Sequence, residues 1–224
     1  MVGVLGRQAV VVGAGMGGLA AARALADTFE HVLVLERDTL PRTPAPRTGT
    51  PQARHTHALL GGGQRALAAL FPGLEQDLER AGAVPIRVAA DLRFEPPGSE
   101  PLPSRDFGWN TIAMSRPLIE FIVRKRLERS TNVEVREGCR VRGIITTPDG
   151  AAVTAVRCET ADGGRETVPA DLVIDATGRG ALSLACCARS TGGCPRRARS
   201  ASISPIPPSS SPFRRMRRPI GNAW

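Results

Sequence analysis

Three glycines and one carboxylate carry the clearest chemistry in this sequence. Gly13, Gly15 and Gly18 stand in the run Gly13-Ala14-Gly15-Met16-Gly17-Gly18, and Glu36 follows 23 residues after Gly13. Gly13 lets a chain turn sharply out of a strand. Gly15 has no side chain, so backbone amides can approach a pyrophosphate. Gly18 lets a following helix lie close to its strand. The amides and dipole at that helix's start attract phosphate charge, and a carboxylate at position 36 would accept hydrogen bonds from an adenosine ribose.

The surrounding elements are those such a site needs. Ala9–Val12 is an apolar strand-forming run, Leu19–Ala26 an alanine-rich helical one, and Val32–Leu35 a second apolar run ending on Glu36. Strand, glycine turn, helix, strand and acid form the first half of a dinucleotide-binding fold. One position departs from the usual pattern: Phe29 stands where a glycine commonly turns the helix into the second strand. A glycine-rich loop that binds nothing is the competing reading. Glu36 argues against a ribose 2′-phosphate, an argument that Arg37 beside it weakens.

Composition narrows the class. The chain has 224 residues, enough for one large domain or two small ones, and no run of 18 apolar residues that could span a membrane. No charged-then-apolar leader precedes the first strand, so a cytoplasmic, soluble protein is expected. Five cysteines, Cys139, Cys158, Cys186, Cys187 and Cys194, show neither metal spacing nor a disulfide framework. The net charge of +9 suggests nucleic acid at first sight, but residues 1–180 hold 22 Lys and Arg against all 21 acids. The excess lies beyond residue 180, with no interleaved aromatics before Phe213, so no nucleic-acid partner is expected.

After Asp38 a Pro- and Thr-rich loop, Thr39–Gln52, ends in Arg54-His55-Thr56-His57, which gathers two of the three histidines. Helices are expected over Gln64–Leu70 and from Pro72 to Ala81. Strands are expected over Arg87–Phe94 and Trp109–Met114. Ser115 is the expected N-cap of a helix with Pro117 early in it and Leu118, Ile119, Ile122, Val123 and Leu127 on its buried face. Val133–Val135 reads as a strand, Val141–Thr147 and Ala152–Glu159 as a hairpin around Pro148-Asp149-Gly150, and Asp162-Gly163-Gly164 as a second turn. Leu172–Ile174 reads as a buried strand ending in Asp175-Ala176-Thr177-Gly178.

These residues together resemble the FAD-dependent monooxygenases of the para-hydroxybenzoate hydroxylase and squalene epoxidase type. The motifs are the GAGMGG turn with Glu36-Arg37, the Ser-Arg-Pro-Leu helix start at Ser115, and the strand ending Asp-x-Thr-Gly at Asp175. The loop PQARHTHALL and the following GGGQRALAALFPGLEQDLERAGAV resemble a bacterial subgroup that includes polyether-pathway epoxidases. The likeness covers residues 8–180. It implies a mixed α/β, Rossmann-like FAD-binding fold over 1–180, with inserted β-strands near 83–114 from an incomplete substrate domain. It also implies FAD as cofactor, NAD(P)H as reductant, molecular oxygen, and a small organic substrate that is hydroxylated or epoxidised.

Carried across, Gly13, Gly15 and Gly18 hold the pyrophosphate and Glu36, with Arg37 beside it, the ribose. Arg116 lies along ribitol and pyrophosphate, and Asp175 and Gly178 close the site from the next strand. Arg54, His55 and His57 sit near the flavin ring, the histidines as the catalytic candidates; anchoring the loop is their plainer role. A flavin-linked reductase of the geranylgeranyl reductase type and a non-catalytic dinucleotide-binding fragment are the alternatives.

The family's second flavin motif, a Gly-Asp pair, is not recognisable here. From Ala181 onward acids vanish and Ser, Arg, Pro and Cys dominate. Residues 181–224 are expected to be a disordered tail. The preference for arginine over lysine suggests GC-rich codons, and such codons read out of frame yield this composition, so a frameshifted tail and a truncated, inactive enzyme are expected.

Overall fold

The computed structural model describes residues 3–93, 95 and 97–188. In chain order these form β1 (Gly6–Val12), α1 (Met16–Ala26), β2 (Phe29–Leu35), a 3-10 turn (Pro51–Arg54) and β3 (Thr56–Leu59). There follow α2 (Gly61–Leu70), α3 (Leu74–Arg80), β4 (Val84–Arg87), β5 (Asn110–Ser115) and α4 (Arg116–Leu127). The remainder is β6 (Val133–Arg136), β7 (Arg140–Thr146), β8 (Val153–Glu159), β9 (Arg165–Pro169), β10 (Leu172–Asp175) and α5 (Ala181–Cys187).

A four-stranded parallel sheet, in the order β10-β1-β2-β6, forms the centre. Its two inner strands are apolar at consecutive positions because both faces are covered. Ala9 and Val11 of β1, with Val32 and Val34 of β2, pack with Leu19 and Ala22 of α1 and Val123 and Leu127 of α4. Val10, Val12, Leu33 and Leu35 point the other way, onto Val141, Val156, Cys158 and Val168 of an antiparallel sheet ordered β7-β8-β9. Buried parallel strands read as continuous apolar runs for this reason.

Phe29 replaces the expected glycine without strain. The turn before it is made by Asp27 in the right-handed region and by Thr28, whose N–H donates to Leu25 O at 2.9 Å. The Phe29 ring lies over Gly6, where an added Cβ would come within 2.7 Å of its Cε1. The aromatic side chain thus needs the neighbouring strand to be bare at that point.

A third sheet, β3-β5-β4, is antiparallel and lies on the α4 side. Two expectations are corrected here. The strand expected over Arg87–Phe94 lies at Val84–Arg87, where Pro85 is opposite Ile112 of β5. Beyond Arg87 the chain turns, with Ala89 at φ +69 and the Asp91 carboxylate accepting from the Arg87 N–H and guanidinium. Phe94 lies outside the described residues. The helix expected to begin at Gln64 begins at Gly61, with the Gln64 N–H donating to Leu60 O at 2.9 Å.

Order also extends past residue 180, where the tail was expected to begin. Ala181–Cys187 form α5, and Leu182 and Cys186 pack on the cluster beneath β7. Residues 189–224, which hold the rest of the expected tail and Cys194, lie outside the described residues.

Candidate dinucleotide site

The parallel register brings the sequence motifs to one edge. Val12 is level with Leu35 on one side and Asp175 on the other. Gly13, Glu36 and Ala176 therefore leave the C-terminal ends of three adjacent strands side by side, the edge at which open α/β sheets bind ligands. Backbone hydrogen bonds continue the sheet one residue further: Gly13 N–H to Leu35 O at 2.8 Å, and Ala176 N–H to Val12 O at 3.0 Å.

The three glycines have different physical reasons to be glycine. Gly13 has φ +104, and a Cβ there would lie 2.9 Å from Ala176 O. Gly18 faces inward, where a Cβ would stand 1.8 Å from Gly13 O, so helix and turn can meet only without a side chain. Gly15 caps α1 with φ −75 and ψ 177, and a Cβ there would meet nothing within 4 Å. The open space at Gly15 lies at the amides that start α1. The turn leaves room where a pyrophosphate must approach and none where the protein must close on itself.

Glu36 is buried and fixed. Its Oε2 accepts the Ala14 N–H at 2.7 Å, and its Oε1 accepts the Asp38 N–H at 3.0 Å. Arg47 completes the setting. Its side chain is 6% exposed and its Nη1 lies 3.3 Å from Glu36 Oε2 and 3.0 Å from Asp38 Oδ2. Its Nε donates to Glu120 Oε1 on α4 at 2.8 Å. Burial by itself lowers the pKa of Arg47; the charges of Glu36 and Glu120 and the hydrogen bonds to Glu120 and Asp38 outweigh it and raise the pKa. Asp38 Oδ2 also accepts the Gly49 N–H at 2.6 Å, pinning the proline-rich loop to the end of β2.

Arg116 begins α4, and its Nε lies 3.7 Å from Glu120 Oε2. Both atoms are buried and make no hydrogen bond among the described residues. The helix start is set as expected, with Ser115 Oγ accepting the Leu118 N–H at 3.3 Å. A buried donor that makes no hydrogen bond, at the head of a helix, is what an anionic ligand would satisfy. The residues present therefore fit the phosphate and ribose groups of FAD.

Asp175 has another occupation. Oδ1 accepts the Thr177 N–H at 3.1 Å and the Thr177 hydroxyl at 2.6 Å. Oδ2 accepts the Ser183 N–H at 3.0 Å and the Ser183 hydroxyl at 3.1 Å. Four donors use the four acceptor positions of a carboxylate. Burial pushes its pKa up, but the bonds from Thr177 and Ser183 prevail and hold it below the usual carboxylate value. Asp175 shapes the turn through Gly178 at φ +81, and that turn presents Ala176 O to Gly13.

The remaining candidates sit further out. Arg37 is half exposed and, among the described residues, pairs with Asp38 at 3.6 Å. Arg54 and His55 are exposed at the end of the 3-10 turn, which packs on α4. His57 lies on β3 opposite Met114, two residues before Arg116. His57 Nδ1 donates to the His55 carbonyl at 2.7 Å, which leaves Nε2 as the acceptor of the neutral ring. Among the described residues, no cluster of His, Cys, Asp and Glu is arranged to hold a metal ion, and no helix is long and apolar enough to cross a membrane.

Sequence reasoning overlooked Arg47, Asp38, Glu120 and Ser183. Arg47 stands among prolines with no periodicity to mark it. Glu120 had a readable signal, since it follows Arg116 by four residues on one helix face.

Residues 8–206 match the family model of FAD-dependent oxidoreductases. A curated relative, protein Rv3254 of Mycobacterium tuberculosis, is 35% identical over 187 residues. That alignment takes in 77% of this chain but 38% of the relative, so the chain spans well under half the relative's length. Among solved structures, the myxobacterial chondrochloren halogenase CndH, a variant of the FAD-dependent halogenases, is similar with a TM-score of 0.57 and 24% identity. The similarity covers 76% of this chain and 37% of that one. The flavin-dependent monooxygenase PieE, solved with FAD and substrate, has a TM-score of 0.56 at 19% identity, covering 77% of this chain and 30% of its own. At these identities the two structures speak to the fold.

Proposed function

Because the chain belongs to the FAD-dependent oxidoreductase family, we propose that it serves a flavin monooxygenase reaction, with FAD held across the glycine turn and the α4 start. The observation that carries this reading is the open space at Gly15, at the amides that start α1; the Nε of Arg116, which makes no hydrogen bond among the described residues, adds to it. Gly13, Gly15 and Gly18 shape the pyrophosphate cradle, Glu36 accepts from the ribose, and Arg116 neutralises phosphate charge. Asp175 and Gly178 hold the turn that backs the cradle.

When bound, FAD supplies two-electron redox chemistry and oxygen activation. The balanced reaction takes two electrons from NAD(P)H, places one atom of molecular oxygen in a small organic substrate by hydroxylation or epoxidation, and releases the other as water. Arg54, His55 and His57 face the flavin ring in this reading. The neutral His57 ring would offer Nε2 as a hydrogen-bond acceptor, and its protonated form would favour negative charge beside it. No nucleic-acid partner is proposed, and a cytoplasmic location is.

The test is to purify the 224-residue chain with FAD, remove free flavin, release the bound flavin by denaturation and identify it. NAD(P)H oxidation in air is then followed with and without candidate aromatic and alkene substrates. Retained FAD supports the reading of the site, and substrate-stimulated oxidation by this chain would count against the truncated, inactive enzyme expected from its sequence. Retention of NAD in place of FAD would overturn the reading.

A further inference from the structure

We infer that Arg47 is the positioning residue of the ribose site, tying the carboxylate that receives the nucleotide to the helix that carries Arg116. The inference rests on the reading of Glu36 as the ribose acceptor. No sequence motif places Arg47 there; the geometry does.

Arg47 is buried to 6% exposure and touches three carboxylates from two separate parts of the chain. Glu36 and Asp38 follow β2. Glu120 lies on α4, one helical turn after Arg116, and faces Arg116 with its other oxygen at 3.7 Å. One guanidinium therefore links the end of β2 to the start of α4. The planar fork of arginine can meet carboxylates in several directions at once, which an ammonium cannot do in the same place.

Acceptor counting shows what this does to the ligand. A carboxylate has about four acceptor positions. On Glu36 one is taken by the Ala14 N–H, one by the Asp38 N–H, and one faces Arg47. The carboxylate plane is thereby fixed, and the position left open lies on Oε1. Arg47 also balances charge: it is the one cation that Glu36, Asp38 and Glu120 share among the described residues, while Arg37 lies 3.6 Å from Asp38 and Arg116 lies 3.7 Å from Glu120.

The experiment uses the 224-residue chain and titrates ADP against 2′,3′-dideoxy-ADP by calorimetry. ADP carries the ribose hydroxyls and the dideoxy form lacks them, so the ratio of affinities reads the contacts of those hydroxyls, and Glu36→Gln gives the share that belongs to Glu36. The native chain is expected to favour ADP by about tenfold, the worth of a charge-assisted hydrogen bond. Arg47→Lys keeps the charge and is expected to bring that preference down to about twofold while dideoxy-ADP binds within about twofold of native. Glu120→Gln removes only the anchor on α4 and is expected to shift the ratio in the same direction by about threefold, which provides a second reading should Arg47→Lys not fold. A merely structural role would weaken both nucleotides alike and leave the ratio unchanged, and that result in either folded variant overturns the inference. If Glu36→Gln abolishes the preference while both variants keep it, the inference falls and the ribose reading stands. If the native chain shows no preference, both fall.

Discussion

Ser183, on the first turn of α5, gives both its backbone N–H and its hydroxyl to one oxygen of Asp175 at the end of β10, at 3.0 and 3.1 Å. The other oxygen takes both donors of Thr177. The carboxylate thus closes a loop of seven intervening residues and seats the helix beyond it. Asp175→Asn would bring amide hydrogens against existing donors, and should lower stability by about 2 kcal/mol. Ser183→Ala should cost about 1 kcal/mol, because the backbone donor remains. Urea unfolding of both variants, with amide exchange across Ala181–Cys187, checks the order: exchange should accelerate more in Asp175→Asn.

The glycines of the turn should separate stability from binding. Gly18→Ala places a methyl group against Gly13 O at 1.8 Å, a clash with backbone that cannot be relieved by a rotamer change. A loss of about 3 kcal/mol or more is expected, near the upper end of overpacking costs. Gly15→Ala meets open space and should cost about 1 kcal/mol or less as a helix N-cap change. It should nevertheless abolish FAD retention, since the methyl group stands where the pyrophosphate approaches. Thermal melts alongside flavin retention check both; a Gly15→Ala chain that keeps FAD would contradict the placement of the phosphates.

Acid should loosen the β1–β10 pair at both of its ends. Asp171 accepts the Arg7 and Gln8 N–H groups at 2.7 and 2.9 Å, which hold its carboxyl below the ordinary value of 3.8. Asp175 is held below it as well, its hydrogen bonds outweighing its burial. A depressed folded pKa means that the unfolded chain takes up protons first. The stabilisation is complete above the unfolded value of about 4 and disappears as pH falls through the folded values. Melting temperature should therefore be level between about pH 5 and 6 and decline below about pH 4, and Asp171→Asn should make that decline shallower. A melting curve whose acid limb is identical in native and variant chains would refute the assignment.

His57→Ala should leave FAD retention intact and alter the rate of flavin reduction by NAD(P)H. Among the described residues its ring is tied to the His55 carbonyl, and its strand pairing is made by backbone. Stopped-flow reduction of the flavin-loaded chain measures this. An unchanged rate would reduce His57 to an anchor of the loop.

The parallel core was legible because its signals are local. Ala9–Val12 and Val32–Leu35 are apolar without alternation, the mark of strands covered on both faces, and the glycine turn and Glu36 stand at spacings set by one strand and one helix. Ser115 and Pro117 likewise announced α4. What escaped notice depends on distant partners. Arg47 is meaningful only once β2 and α4 are neighbours, 73 residues separating it from Glu120. The β3 strand carrying His57 exists because β5 lies beside it, and four residues without a period could not reveal that. Residues Ala181–Cys187 looked like tail because composition changes there, yet Asp175 captures the helix by hydrogen bonds that no hydrophobic pattern records.

The position of β10 sets the timing of folding. It flanks β1 directly, with Val12 level with Asp175, although 162 residues lie between them in the chain. On the ribosome the central strand emerges early with its own helix and β2, but one of its edges stays open until almost the whole described chain has been made. At 5–20 residues per second that is roughly ten to thirty seconds. During this interval an apolar strand edge is exposed to unintended pairing, and the floor of the glycine turn, the Ala176 carbonyl, does not yet exist. The glycine turn is therefore completed only once β10 has been made, and a nucleotide present during synthesis would select chains in which that strand has docked.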